Sequence, residues 1–517
     1  MTAAAGPSPL VTAAAGPSPL GSVRRRLLAG GAWAVGGQLA TAVLGLPTGF
    51  VLARLLTPSD MGNFVLALSL AWFGTTVGCV GLNQVMVRFV AESLATGRPE
   101  RAGRVVRLVF RLGVPGAATS GLLYAAFGGA FEERVFDAPV LVALTGLVAC
   151  WIVALCLQSL VADAFRGWGD LRRASLFGGP LATALLLGGL ATLWAVDGRA
   201  ELGDVLVLLA GSVLASCLAG GWALRRKLRT LPAGTGKEPD ATTNGTNATT
   251  NGTNAITNAT DATDATNGTD ASDASDGVRA ARVLRIALPL LVSNVSLIAF
   301  SQADLWIMGA FRPKQEVAVY GVISRVVAVV AAPNVILSAV MPPLVAELYA
   351  RGRRRELERV LRTTATAAAV PSLAATVVFV VAGGPLLGIV YGGFYGQGAF
   401  ALALLSLGQL ATVWFGSCGI ALVMSGHHQL MLALSIATGV LTVAAELAVV
   451  RSTGIVGVAA ASAAGIALLH VATWAVVRAR TGVRTHAAPS ALPELLQRAL
   501  ERPGPPESAR EAVHDGA

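Results

Sequence analysis

Long runs without a charged residue alternate along this chain with short polar turns and arginine-rich segments. Six runs fill the first half, at residues 27–53, 61–87, 112–131, 138–162, 174–196 and 205–224. The second half has runs at 286–303, 326–346 and 452–469, and one at 430–450 broken only by Glu446. About 20 apolar residues cross the hydrocarbon core of a bilayer, so each run predicts a transmembrane helix. A further run, 363–426, is too long for one helix, and its Gly/Pro/Tyr-rich middle at 383–398 divides it in two. The pattern predicts about twelve transmembrane helices.

The polar segments orient them. Basic residues gather in cytoplasmic loops. Arginine-rich segments at 88–111, 166–173, 225–285 and 351–362, with 425–429 and the tail after 478, alternate with short turns at 54–60, 132–137, 197–204, 311–316, 383–398 and 451–454. This predicts a cytoplasmic-membrane protein with both termini inside. Residues 240–276 form an Asn/Thr/Asp tract with N-x-Thr sequons at Asn244, Asn247, Asn251, Asn258 and Asn267. Its basic flanks place it in the cytoplasm, so the sequons are expected to be unmodified, and its low apolar content predicts a disordered linker.

The halves around that linker repeat. Asp60-x-Gly62-x-Phe64 is matched by Glu316-x-Ala318-x-Tyr320, and Glu92, Gly97, Arg98, Arg104 and Arg107 by Glu347, Gly352, Arg353, Arg359 and Arg362. Weaker echoes pair Arg166-Gly167 with Ser425-Gly426 and Asp197-Gly198 with Thr453-Gly454. The expected fold is an all-α polytopic membrane protein, two six-helix lobes related by pseudo-two-fold symmetry. Its parts are an N-terminal tail (1–23), an N-lobe (24–229), a cytoplasmic linker (230–278), a C-lobe (279–480) and a cytoplasmic tail (481–517). Parallel repeats of this kind place a transport site between the halves.

Composition narrows the classes. Of 517 residues only 13% are charged, against about 25% in soluble proteins. The net charge of +10 would suit nucleic acid, but topology accounts for the basic residues, so no nucleic-acid partner is expected. Cys79, Cys150, Cys156, Cys217 and Cys418 lie inside hydrophobic runs and read as small apolar residues. The His427-His428 pair lacks further ligands. No metal site, cofactor, nucleophile triad or nucleotide-binding loop is apparent, so no enzyme is expected.

Arg54-Leu55-Leu56-x-Pro58-x-x-x-Gly62-x-Phe64, its repeat at Glu316–Tyr320, Met341-Pro342-Pro343 with Glu347, and Gly454-Ile455-x-Gly457-x-Ala459 carry a resemblance. The chain resembles the polysaccharide-biosynthesis flippases of the multidrug/oligosaccharidyl-lipid/polysaccharide exporter superfamily, which include the O-antigen and archaeal N-glycan types. The resemblance implies alternating-access flipping of a polyprenyl- or dolichol-linked oligosaccharide, with membrane lipid and glycan-assembly enzymes as partners.

Ionisable residues at membrane depth are expensive and commonly functional. Asn294, Ser301, Gln302 and Asp304 share one face of the seventh helix, a candidate chamber wall, while Gln38 and Thr41 lie on a polar stripe of the first. Arg325 and Arg88 are candidates for a phosphate or anionic sugar, Arg325 alternatively pairing with Asp304. Asp304 and Glu446 are candidate coupling acids. Two rivals stand beside the flippase reading. A multidrug/cation antiporter of the same superfamily would need a buried acidic cluster in one lobe, and Asp304 and Glu446 are separate and few, which ranks it below the flippase. A membrane glycosyltransferase or polymerase would need a large external catalytic loop, and the turns here are short.

Overall fold

The computed structural model describes residues 19–196, 198–230, 280–338 and 341–488. The duplicated start of the chain, the Asn/Thr/Asp tract with its sequons, and the tail from 489 lie outside the described residues. Among the described residues no strand occurs. The first half holds α1 (Pro19–Leu55), α2 (Pro58–Gly78), α3 (Leu82–Ala95), α4 (Pro99–Phe136), α5 (Pro139–Gly167), α6 (Leu171–Phe177), α7 (Pro180–Val196) and α8 (Leu202–Arg229). The second holds α9 (Ala280–Phe311), α10 (Lys314–Ser338), α11 (Met341–Ala350), α12 (Arg354–Tyr391), α13 (Ala399–Phe415), α14 (Cys418–Met424) and α15 (His428–Thr481).

In lipid every backbone polar group must be satisfied internally, which forces these apolar runs into helices. Proline at the first helical position opens α2, α4 and α5, where the missing N–H costs nothing. Several passes are broken helices. α2 and α3 form one pass, interrupted at Val80 and Gly81, both with positive φ. α6 with α7, α10 with α11, and α13 with α14 form others. The 54 residues of α15 would span about 80 Å as a straight rod, far more than a bilayer. It folds into two passes at Gly454, whose φ of 57° and ψ of −137° are not helical. The result is a multi-pass membrane protein of two helical lobes.

The repeat is visible in the backbone. Gly97 (φ 69°) precedes α4 as Gly352 (φ 67°) precedes α12, and Gly198 (φ 65°) corresponds to the Gly454 kink. The echo of Arg166-Gly167 in Ser425-Gly426 is out of register. The left-handed glycine after α5 is Gly169 (φ 69°), so Gly169, not Gly167, matches Gly426 (φ 88°).

Two expected turns are shorter than the sequence suggests. The 383–398 segment is not a loop throughout: α12 continues through Pro385 to Tyr391, breaks at Gly392 (φ 112°), and a 3-10 turn covers Gly393–Gly398. Proline is tolerated in a membrane helix because neighbouring helices, polar side chains and local adjustments take up the backbone groups it frees. Likewise α4 runs to Phe136, so Glu132 is helical and fully buried, bonded to the hydroxyls of Tyr124 and Thr145.

The lobes meet along α2 and α10 at the end carrying the short turns. A Cβ on Gly62 would lie 2.0 Å from the Lys314 carbonyl oxygen, one on Gly321 2.5 Å from Val65, and one on Gly309 2.6 Å from Leu66. The Lys314 ammonium donates to the carbonyls of Phe136 and Gly309. Arg54 Nη2 donates to the Ile389 carbonyl at 3.0 Å. The motif that carries the resemblance is thus the clasp between the lobes. Toward the arginine-rich end the lobes are joined by α9, whose Val283 and Ala287 pack into the N-lobe core beside Leu82 and Val85.

Candidate functional site

Asp304 on α9 and Arg325 on α10 are both half-buried. Each is held differently. The Tyr320 hydroxyl, from α10, donates to Asp304 Oδ2 at 2.8 Å, while the Leu305 amide donates to Oδ1 at 2.8 Å. The Arg325 guanidinium lies 5.6 Å from the centroid of the Phe64 ring on α2, across the seam, and its Nη2 is buried without a hydrogen-bond partner. Asp304 and Arg325 do not form an ion pair.

Tyr320 also connects Asp304 to a second carboxyl. Its hydroxyl lies 3.2 Å from Ser462 Oγ, and Ser462 donates to Glu446 Oε1 at 2.7 Å. Ser462 and Glu446 sit on opposite arms of α15, brought side by side by the Gly454 kink. Glu446 is 2% exposed, and its Oε2 has no hydrogen-bond partner. Among the described residues neither carboxyl has an ion pair. Asp304 and Glu446, read from sequence as separate, are linked through these two hydroxyls; each hydroxyl has one proton, so the chain is continuous only when one of the two carboxyls is itself protonated. The fold of α15 and a tyrosine between them overturn that expectation.

Such a chain has definite chemistry. Two carboxyls linked by two hydroxyls, with no compensating cation, provide a place for a proton or a small monovalent cation. The unpartnered Glu446 oxygen supplies the remaining lone pairs.

The facing surface of the N-lobe has its own cavity of about 290 Å³, bordered by Trp72, Thr75, Gln158, Ser159 and Arg166, with Ile298 of α9 on the other side. Asn83 Nδ2 donates to Ser159 at 2.7 Å, Gln158 to Ser216 at 3.1 Å, and Arg166 pairs with Asp163. The i, i+3 spacing of Asp163 and Arg166 predicts their pair from sequence; Gln158, Ser159 and Ser216, lone uncharged residues in apolar runs, give no such signal.

The other sequence candidates scatter. Thr41 bonds back to the Gly37 carbonyl and packs toward Gly179, between α1 and α7. Arg88 is exposed near the arginine-rich end. On α9, Ser301 is exposed, Asn294 half-buried and Gln302 buried, so the polar face expected there is divided between environments. The side chain of Gln38 lies outside the described residues. Tyr320 and Ser462 were missed. The signal for Tyr320 was its place in the repeat, where the first half has Phe64.

Comparison with known proteins places the architecture. Residues 289–393 match the MatE family profile. No curated protein matches the chain. Among solved structures, an inward-facing multidrug resistance MATE family transporter of the MOP superfamily superposes with a TM-score of 0.64 at 15% identity, covering 85% of this chain and 94% of that one. This chain has the MATE transporter fold. A MOP superfamily transporter from Pyrococcus furiosus, described as having a binding pocket of reversed polarity, gives a TM-score of 0.55 at 13% identity over 88% and 95% of the two chains. A Vibrio cholerae MATE transporter gives 0.57 at 14% identity over 89% and 97%.

Proposed function

We propose that this protein is a cation-coupled exporter of an amphipathic organic solute, working by alternating access between its two lobes. The observation that carries this reading is the Asp304–Tyr320–Ser462–Glu446 chain, which joins a half-buried and a buried carboxyl within one lobe. Loading it with H⁺ or Na⁺ removes the repulsion between two neighbouring carboxylates and releases α9, α10 and α15 to move relative to the N-lobe. The positive-inside rule makes the arginine-rich end cytoplasmic. The α2–α10 clasp then closes the external side, and the space beside Asp304 opens inward. The similarity to an inward-facing multidrug MATE transporter supports this reading. It favours the antiporter over the flippase expected from the sequence motifs.

One observation keeps the lipid-linked oligosaccharide as a second reading. Arg325 holds a buried, unpartnered guanidinium nitrogen at the seam, suited to a pyrophosphate. The two readings separate in proteoliposomes. The exporter reading expects an imposed H⁺ or Na⁺ gradient to drive uphill movement of a fluorescent organic cation. Movement of a lipid-linked oligosaccharide to the opposite leaflet, with no gradient-driven solute transport, would establish the second reading instead.

A further inference from the structure

A groove of about 830 Å³ lies away from the seam, on the outer face of the N-lobe. α4 and α8 both pack on α5 and leave a gap between them, floored by Leu157 and Val161. On α4, Arg107, Phe110, Arg111, Val114 and Pro115 follow helical spacing and share one side. On α8, Leu218, Gly221, Trp222, Arg225 and Leu228 do the same.

The two walls run in opposite directions but agree in polarity. Arg107, Arg111 and Arg225 lie at the arginine-rich end, whereas Val114, Pro115, Leu218 and Gly221 extend from them toward mid-membrane. All three arginines are exposed, and among the described residues none has an ion pair or hydrogen bond. Trp222 is 66% exposed, at the boundary where an indole suits the headgroup level. An apolar cleft open to the lipid, ending in three unpaired cations at headgroup depth, is complementary to one kind of molecule.

We propose that this groove is a binding site for an anionic phospholipid of the leaflet at the arginine-rich face, with the phosphate among Arg107, Arg111 and Arg225 and an acyl chain along the apolar walls. Basic pockets between helices on the cytoplasmic side take such headgroups. The occupant ties α4 and α8 together across α5, so it braces the N-lobe without entering the transport path. The inference is independent of the transported solute.

The test uses the full chain in nanodiscs of equimolar phosphatidylglycerol and phosphatidylcholine, with lipid retained after detergent extraction counted by native mass spectrometry. The unaltered protein is expected to retain phosphatidylglycerol at least about tenfold over phosphatidylcholine. Arg107→Gln/Arg111→Gln/Arg225→Gln should lose that preference. Gly221→Leu keeps the arginines and fills the groove, where a Cβ meets nothing within 4 Å, and should reduce retention of both lipids. Equal retention of the two lipids by the unaltered protein would overturn the proposal, as would undiminished phosphatidylglycerol retention by both variants.

Discussion

The Tyr320 hydroxyl donates a 2.8 Å hydrogen bond to Asp304, and Tyr320 stands where the first half of the repeat has Phe64. The same position in the two halves thus serves two ionisable groups, since the Phe64 ring lies against Arg325. One added hydroxyl converts a packing position into part of the link between two acids. Tyr320→Phe keeps the ring and removes the link. Gradient-driven transport is expected to fall about tenfold or more, equivalent to about 1.4 kcal/mol. Solute binding measured without a gradient should change less than twofold, roughly within the error expected of an untouched contact.

The clasp between the lobes depends on Gly62. Gly62→Ala would drive a methyl into the Lys314 carbonyl oxygen, 2.0 Å away, and backbone on both sides must shift. Overpacking of this kind costs about 1–3 kcal/mol. The expected outcome is a lower melting temperature, with cysteine pairs across the α2–α10 seam cross-linking less efficiently. Gly45→Ala, where a Cβ meets nothing within 4 Å, should leave both unchanged.

Gly454 turns α15 back on itself and so sets Ser462 beside Glu446. Its φ of 57° is costly for any residue with a Cβ, about 1–2 kcal/mol, and the added methyl would lie 2.9 Å from Arg312. Gly454→Ala should lower the melting temperature and also impair coupling. Loss of stability with fully intact coupling would detach the kink from the acid pair.

Residues beyond α15 pack back onto the C-lobe, with Ala487 donating to the Trp414 carbonyl and Thr485 to that of Phe415. There the Trp474 indole N–H donates to Nδ1 of His486 at 3.1 Å. Burial, and then the charges of Arg362, Arg484 and Arg478, push the His486 pKa below its ordinary value. The packed state therefore favours neutral imidazole. Its contribution is complete above the ordinary pKa of about 6.5 and is lost as pH falls through the lowered value. Amide exchange over residues 483–488 should quicken as pH drops below about 6.5, after correction for intrinsic rates, and His486→Gln should flatten that dependence.

How much of this was legible beforehand follows from what each feature rests on. The helical passes, the two lobes and the repeat are written in hydrophobic runs and glycines, because lipid permits little besides helices there. The Arg54–Phe64 motif was recognisable as a marker, but its work as a clasp required Lys314 and Ile389, contributed from the other half of the chain. Asp304 and Glu446 stood out as charges in apolar surroundings. Their union did not, because it runs through a tyrosine 16 residues from one and a serine 16 residues from the other, on helices whose packing no local pattern encodes.

The most direct measurement of the central claim is uphill solute accumulation in proteoliposomes under an imposed H⁺ or Na⁺ gradient, comparing the unaltered protein with Asp304→Asn/Glu446→Gln. The account predicts accumulation by the unaltered protein under at least one gradient, and only downhill equilibration by the double variant. Undiminished accumulation by the double variant, or none by the unaltered protein under either gradient, would contradict it.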